Sequence, residues 1–299
     1  MNDAPNHLQG STEWVPLPDG RRLHAMVLPG PVPSSPTVPT VVFEAGAGAG
    51  RSSWALVQPA VAARARAVVY DRSGLGRSPA DPAGRTLARM AEDLGALLDH
   101  FGPGPYVLVG HSAGGPLVRL AAAQRPGRIA GLVLVDPTDE AADLLFGSRF
   151  RHAERIALGL GLALAALGLL RPLFRHQLAL LPEDARRDMA REGFTTGVLR
   201  TQRRQARTYL DELAHWRDTP PDTGAVPVTV VSGGLPGDGM DRTVRAAANA
   251  AHAHRAALAP AGRHVVAAAS GHYVPLTEPE VVVREVLALL PDGHLRPSP

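Results

Sequence analysis

The chain contains no cysteine. That excludes disulfides, thiolate metal sites and cysteine nucleophiles, and leaves either redox environment open. Lysine is absent too, so all 31 basic side chains are arginine. Schiff-base chemistry, Ser–Lys dyads and the phosphate-binding lysine of a P-loop are thereby excluded together. Net charge is scarce, at +3, although the sequence pI is near 9.9. With no zinc-finger or RNA-binding motif beside it, this balance makes no case for nucleic acid as a partner. Met1-Asn2-Asp3-Ala4-Pro5 lacks a basic segment leading into an apolar one, so no secretory signal is expected and a cytoplasmic location is. One stretch, Ile156 to Leu170, is apolar throughout. Its fifteen residues fall short of the roughly 20 that span a bilayer, and three of them are glycine. A buried or interfacial helix is expected there.

What the chain does have is enough length, 299 residues with 45% apolar content, for one large α/β domain with an inserted subdomain. Alternating segments at Trp14–Leu17 and Arg22–Leu28 flank Pro18-Asp19-Gly20, which reads as an antiparallel hairpin. After a Pro/Ser-rich stretch (30–39), strands are expected at Val41–Phe43, Ala67–Tyr70, Tyr106–Val109, Leu132–Val135, Val228–Val231 and His264–Ala267. Helices are expected at Trp54–Ala63, Leu87–Phe101, Ala113–Ala123, Thr243–Ala257 and Pro279–Leu290. Repeated βα units at this spacing predict a mostly parallel sheet flanked by helices on both faces. The alternation stops between about 138 and 220. Residues 1–137 and 221–299 therefore read as an α/β core, and 138–220 as a helical cap over the carboxyl ends of the strands.

Gly110-His111-Ser112-Ala113-Gly114 spells G-x-S-x-G between the strand Tyr106–Val109 and a helix-forming run. This is the setting of a nucleophile elbow, in which glycines permit a sharp turn that holds Ser112 strained and exposed. The alternative is a glycine-rich turn with an incidental serine. A serine hydroxyl needs a base, and the base needs a third group to fix its tautomer. Among twelve histidines, His272 stands in Ser270-Gly271-His272-Tyr273, a loop after the last expected strand, at the same sheet edge as Ser112. His7, His252 and His254 read as solvated, and His111 as a packing or orienting residue. Three aspartates compete as the acid. Asp136 directly ends a strand and is preferred; Asp241, then Asp238, lie in the glycine-rich loop after Val228–Val231. All preserve the order Ser…Asp…His. An oxyanion hole requires two converging amides. Ala113 supplies one as the residue after Ser112, and the small-residue loop Glu44–Gly50 supplies the other from Ala47, or next Gly46. A dinucleotide fingerprint fails on that loop because Arg51 stands where the third glycine belongs. Asp71 reads as a structural acceptor.

Taken together, the small-residue loop, D-x-x-G-x-G-x-S at Asp71–Ser78, G-H-S-x-G-G at Gly110–Gly115 and S-G-H at Ser270–His272 resemble the α/β-hydrolase superfamily, most closely its capped serine hydrolases. The resemblance implies an α/β-hydrolase fold and an acyl-enzyme mechanism without cofactor or metal. The triad it implies is Ser112, His272 and Asp136 or one of the loop aspartates. It implies a carboxylic ester as the expected bond, while the small lipophilic substrate is expected from the apolar stretch in the insertion. Ser112 sets the chain apart from the epoxide-hydrolase and dehalogenase branches, which attack through aspartate. Glu44-Ala45-Gly46 departs from the His-Gly that commonly stands in the oxyanion loop. Two other activities fit the same residues: a cofactor-free haloperoxidase or perhydrolase, and a small-molecule-binding protein without turnover. From Gly147 to Asp218 there are 13 arginines against eight carboxylates. The cap is then either an apolar helix packed on the core with solvated arginines, or a lid that admits lipophilic substrates or rests on an anionic membrane surface.

Overall fold

Short β-branched runs become strands because both of their faces can be buried at once. In the computed structural model, which describes residues 7–31 and 37–291, eight strands of the described residues form one sheet. They are β1 (Ser11–Pro16), β2 (Arg22–Leu28), β3 (Thr40–Glu44), β4 (Ala67–Asp71), β5 (Tyr106–His111), β6 (Ile129–Val135), β7 (Val228–Gly233) and β8 (Gly262–Ala267), in the order β1-β2-β4-β3-β5-β6-β7-β8. The hairpin β1–β2 joins β4 antiparallel; every pairing from β4 to β8 is parallel.

The two-residue period of a strand divides the core. Leu108, Leu132, Leu134 and Val230 face one side. There they meet Leu94, Leu97 and Leu98 of α2 (Leu87–Phe101) and Val118 and Ala121 of α3 (Gly114–Gln124). Val107, Val109, Val133 and Val135 face the other side. They meet Val61 of α1 (Gln58–Ala62) and Val282 and Val286 of α12 (Pro279–Leu287). Burying each such side chain is worth about 1.5–3 kcal/mol. Together these contacts hold the strand ends rigidly. Further along, α10 (Arg242–Leu258) packs beside β7 and β8, and the short α11 (Val274–Thr277) precedes α12.

Where one helix is expected over Trp54–Ala63, the chain forms a 3-10 turn at Arg51–Trp54 and then α1. Pro59 lies at the start of α1, where its missing N–H and fixed φ are tolerated, and so sets the helix start later.

Between β6 and β7 stand α4 (Ser148–Ala166), α5 (Leu170–Leu173), α6 (Arg175–Leu180), α7 (Glu183–Glu192), α8 (Thr196–Gln205) and α9 (Tyr209–Ala214). They are held to the sheet domain by three apolar contacts. Tyr209, Leu210 and Leu213 meet Leu87, Ala113 and Leu117; Leu178 and Leu181 meet Ala55 and Leu276; Val198 and Leu199 meet Leu75. A polar clamp adds to them. The Arg51 guanidinium, 1% exposed, pairs with Asp71 of the sheet and with Asp188 and Glu192 of α7. Among the described residues no helix is long and apolar enough to cross a membrane.

Candidate active site

Strand order reverses around β3. The chain leaves it for β4 on one side and returns as β5 on the other, and open α/β sheets place their sites at such a switch point. Register does the rest. His111 is level with Val135 and Val135 with Val231, so Ser112 and Asp136 emerge side by side. The Ser112 amide donates to the Val135 carbonyl (3.0 Å), and the Asp136 amide to the Val231 carbonyl (2.6 Å). Both residues lie in the left-handed region, with φ of 52° and 41°.

The elbow needs its glycines. A Cβ on Gly114 would stand 2.7 Å from the Glu44 and Ala45 carbonyl oxygens, and one on Gly110 would stand 2.6 Å from the Gly114 carbonyl. From the insertion, the Tyr209 hydroxyl donates to the Ala113 carbonyl at 2.9 Å, tying α9 to the turn.

Of the three candidate acids, Asp136 is the one brought to the imidazole. His272 Nε2 lies 3.0 Å from Ser112 Oγ, and His272 Nδ1 lies 2.6 Å from Asp136 Oδ2. Asp238 instead accepts the backbone amide of His272 (3.1 Å), holding the loop that carries the ring. Asp241 caps α10, accepting from the Val244 amide (2.9 Å).

Asp136 is 2% exposed. Its Oδ1 accepts from the Gly233 amide (3.0 Å) and from Arg245 Nη1 (2.5 Å). Burial acts to raise its carboxyl and is the largest single influence. The hydrogen bond and charge of His272, with Arg245 behind them, outweigh it and hold the carboxyl well below the usual range. Nothing in the sequence singles out Arg245, a residue midway along a helix.

His252, expected to be solvated, is buried. Its Nε2 donates to the Pro137 carbonyl (2.8 Å), its Nδ1 lies 2.7 Å from Ser232 Oγ, and burial lowers its affinity for a proton. The helical period of α10 turns His252 inward beside Arg245, while His254 stays exposed. His7, likewise expected in solvent, stands 3.2 Å from Asp188.

His111 packs edge-on against Trp54 and lies 4.8 Å, centroid to centroid, from the His272 ring. Its Nε2 donates to the His272 carbonyl at 2.9 Å. Burial, and next the nearby His272 charge, push it down to about 3, so it stands neutral.

The loop after β3 is stapled from below. Arg72 donates to the Ala45 and Gly46 carbonyls (2.7 and 2.6 Å) and to Glu44, which also accepts from Tyr70. Glu44 is buried. Burial raises its carboxyl against the opposing pull of Arg72, and its contacts are those of a loop anchor. The loop is closed from above by Gln202, whose amide donates to the Ala47 carbonyl (3.0 Å). Among the described residues, the Ala47 and Ala113 amides donate to no protein acceptor. Gly46 lies directly under the elbow, its Cβ position 3.2 Å from Ser112 Cβ.

Two cavities flank this point. One, about 380 Å3, is walled by Ser112, Ala113 and His272 together with Leu145, Phe150 and Met240. The other, about 390 Å3, runs past His111 to Phe174, Phe194 and Leu276. They share Ala47, Glu154, Leu158 and Gln202. Such volumes and mostly apolar walls suit a small organic ligand. Among the described residues, no group of three or more His, Asp or Glu is arranged to hold a metal ion.

A family model described as alpha/beta hydrolase fold matches residues 39–279. A protein of Azorhizobium caulinodans named as a carbamate hydrolase, RutD, is 32% identical over 121 residues, covering 40% of this chain and 45% of the relative. Lipase LipV of Mycobacterium tuberculosis is 48% identical over 83 residues, covering 27% of this chain and 30% of the relative. The chain thus spans less than half the length of these curated relatives. Among solved structures, the epoxide hydrolase CorEH superposes with a TM-score of 0.70 at 20% identity, covering 93% of this chain and 98% of that one. At that identity the likeness is one of fold alone.

Proposed function

Because the chain belongs to the α/β-hydrolase fold family, we propose that it is a serine hydrolase that cleaves a carboxylic ester, or a related acyl bond, of a small lipophilic substrate. Ser112 Oγ attacks the carbonyl carbon as its proton passes to His272 Nε2. Asp136 holds Nδ1–H, fixing the tautomer and stabilising the imidazolium. The oxyanion takes the Ala113 and Ala47 amides. When the tetrahedral intermediate collapses, the leaving alcohol takes the proton from Nε2. Water, deprotonated in turn by Nε2, then attacks the acyl-enzyme, releasing the acid and restoring Ser112.

The observation that carries this reading is the unbroken chain of contacts from Ser112 Oγ through His272 to Asp136, at 3.0 and 2.6 Å. The apolar cavities on either side support a substrate with lipophilic groups flanking the carbonyl. The carbamate and lipase names of the relatives fit the same acyl transfer, so ester and carbamate are compared directly.

The test pairs a fluorophosphonate probe with p-nitrophenyl esters and carbamates of rising chain length. Labelling of the native protein, lost in Ser112→Ala, together with kcat/KM rising beyond acetate, is the expected result. A native protein that does not label would favour ligand binding without turnover and overturn the proposal. A profile that falls from acetate onward would overturn its lipophilic part.

A further inference from the structure

Helix α4 is apolar on two sides. Its inner side, through Leu158 and Leu162, packs with Leu75, Val198 and Leu199. On its outer side Ile156, Leu160 and Leu167 recur at helical spacing and are 60%, 58% and 71% exposed. The strip continues into α5 with Leu169 and Leu173, also exposed. Of the nineteen residues of α4, only Gly161 is buried. A helix apolar all round is stable where something covers both sides, and a contiguous exposed apolar strip marks an interaction surface.

The charges bordering the strip say what covers it. Arg149, Arg171 and Arg175 are exposed, and among the described residues none of them has a carboxylate within ion-pair distance. Arg151, on the same helix, instead pairs with Asp211.

We propose that the outer face of α4 and α5 docks on an anionic lipid bilayer. The leucines sit at the boundary between headgroups and acyl chains, and the arginines sit on lipid phosphates. A second copy of the chain fits worse, because a twofold contact would set unpaired guanidiniums against their own copies. The contact is a surface one, since no described helix is long and apolar enough to cross. The inner side of α4, through Ala157, Leu158 and Gly161, walls the cavity that holds His111. The docked face therefore lies one helix diameter, about 10 Å, from that cavity. This inference does not depend on the chemistry proposed for Ser112.

Co-sedimentation of the full chain with vesicles tests it, comparing pure phosphatidylcholine with phosphatidylcholine carrying about one-third phosphatidylglycerol. Binding at least tenfold stronger to the anionic vesicles, weakening as salt rises, is expected. The double variant Leu160→Glu/Leu167→Glu should lose at least tenfold in binding, and Arg171→Gln/Arg175→Gln should lose the preference for anionic vesicles. Neither leucine lines either cavity beside Ser112, so far-UV circular dichroism and fluorophosphonate labelling should match the parent. Two results would overturn the proposal: equal binding to both vesicles, or a dimer abolished by the glutamates without vesicle binding. Should the glutamate variant not fold, the arginine variant carries the same test through its vesicle preference.

Discussion

Asp136 answers to three partners at once. It holds His272, the Gly233 amide and Arg245 from inside the core, and does so at a φ of 41° that costs a non-glycine residue on the order of 1–3 kcal/mol. Asp136→Asn keeps the shape but not the charge. On the proposed mechanism kcat should fall about 10⁴-fold, because the imidazole loses its tautomer and its counter-charge. Stability should fall by about 3 kcal/mol at neutral pH, with Arg245 left buried and unpaired. The sign with pH follows from the lowered carboxyl. Its contribution is complete above the unfolded value of about 3.9 and is lost as pH falls below it, so the gap between variant and parent should narrow in urea titrations below about pH 4. His111 acts in the other range. It stays neutral down to about 3 in the fold, whereas the unfolded side chain protonates near 6.5. The unfolded chain therefore binds the extra proton, and stability should decline from about pH 6.5 toward 3 by as much as ~1.4 kcal/mol per pH unit. In His111→Gln, which retains an N–H donor, denaturation midpoints between pH 4 and 8 should vary less steeply. An unchanged slope would mean that other groups dominate this range.

At the scale of elements, the elbow and the α7 clamp make separate demands. In Gly114→Ala the new methyl meets backbone oxygens of the loop after β3 at 2.7 Å, and backbone has nowhere to give. A loss of about 1–3 kcal/mol, with kcat reduced because the loop and Ser112 move apart, is the expected outcome of chemical denaturation and steady-state assays. Arg51→Met tests the clamp. It leaves Asp71, fully buried, with His24 and backbone amides as its remaining partners, and should cost about 3–5 kcal/mol. The positions of most strands and of α2, α3, α10 and α12 are legible in the sequence, because apolar period and flanking turns agree there. The inward turn of His252 is less so, since it depends on what the helix packs against, whereas the later start of α1 at Pro59 is a local effect that a wider apolar reading passes over.

Across the whole molecule the sheet and the helical insertion differ in how deeply they are buried. Every residue of β5 is buried, against one of nineteen in α4. Amide hydrogen exchange should therefore be faster in α4–α6 than in β5 and β6 by about 10² or more, the insertion opening without the sheet. Equal protection in both would show that they open as one unit. An insertion that opens alone also suits a layer standing between solvent or lipid and the cavities beneath it.

By itself the sequence determined the βα alternation, the fold family and the short list Ser112, His272 and the three aspartates. Local physics writes the alternation and the turn around Ser112, since a strand-to-helix turn demands glycines and parallel strands demand continuous apolar runs; the family rests on the resemblance of the motifs. Tertiary structure decided which aspartate meets His272, because β6 lies beside β5 while the loop after β7 turns its carboxylates to an amide and a helix cap. It also brought Arg245 beneath Asp136 from 109 residues away, a partnership that no local pattern encodes. The apolar stretch from Ile156 to Leu170 reads in sequence as one hydrophobic run. Only the packed fold separates the side that covers the cavity from the side left facing out.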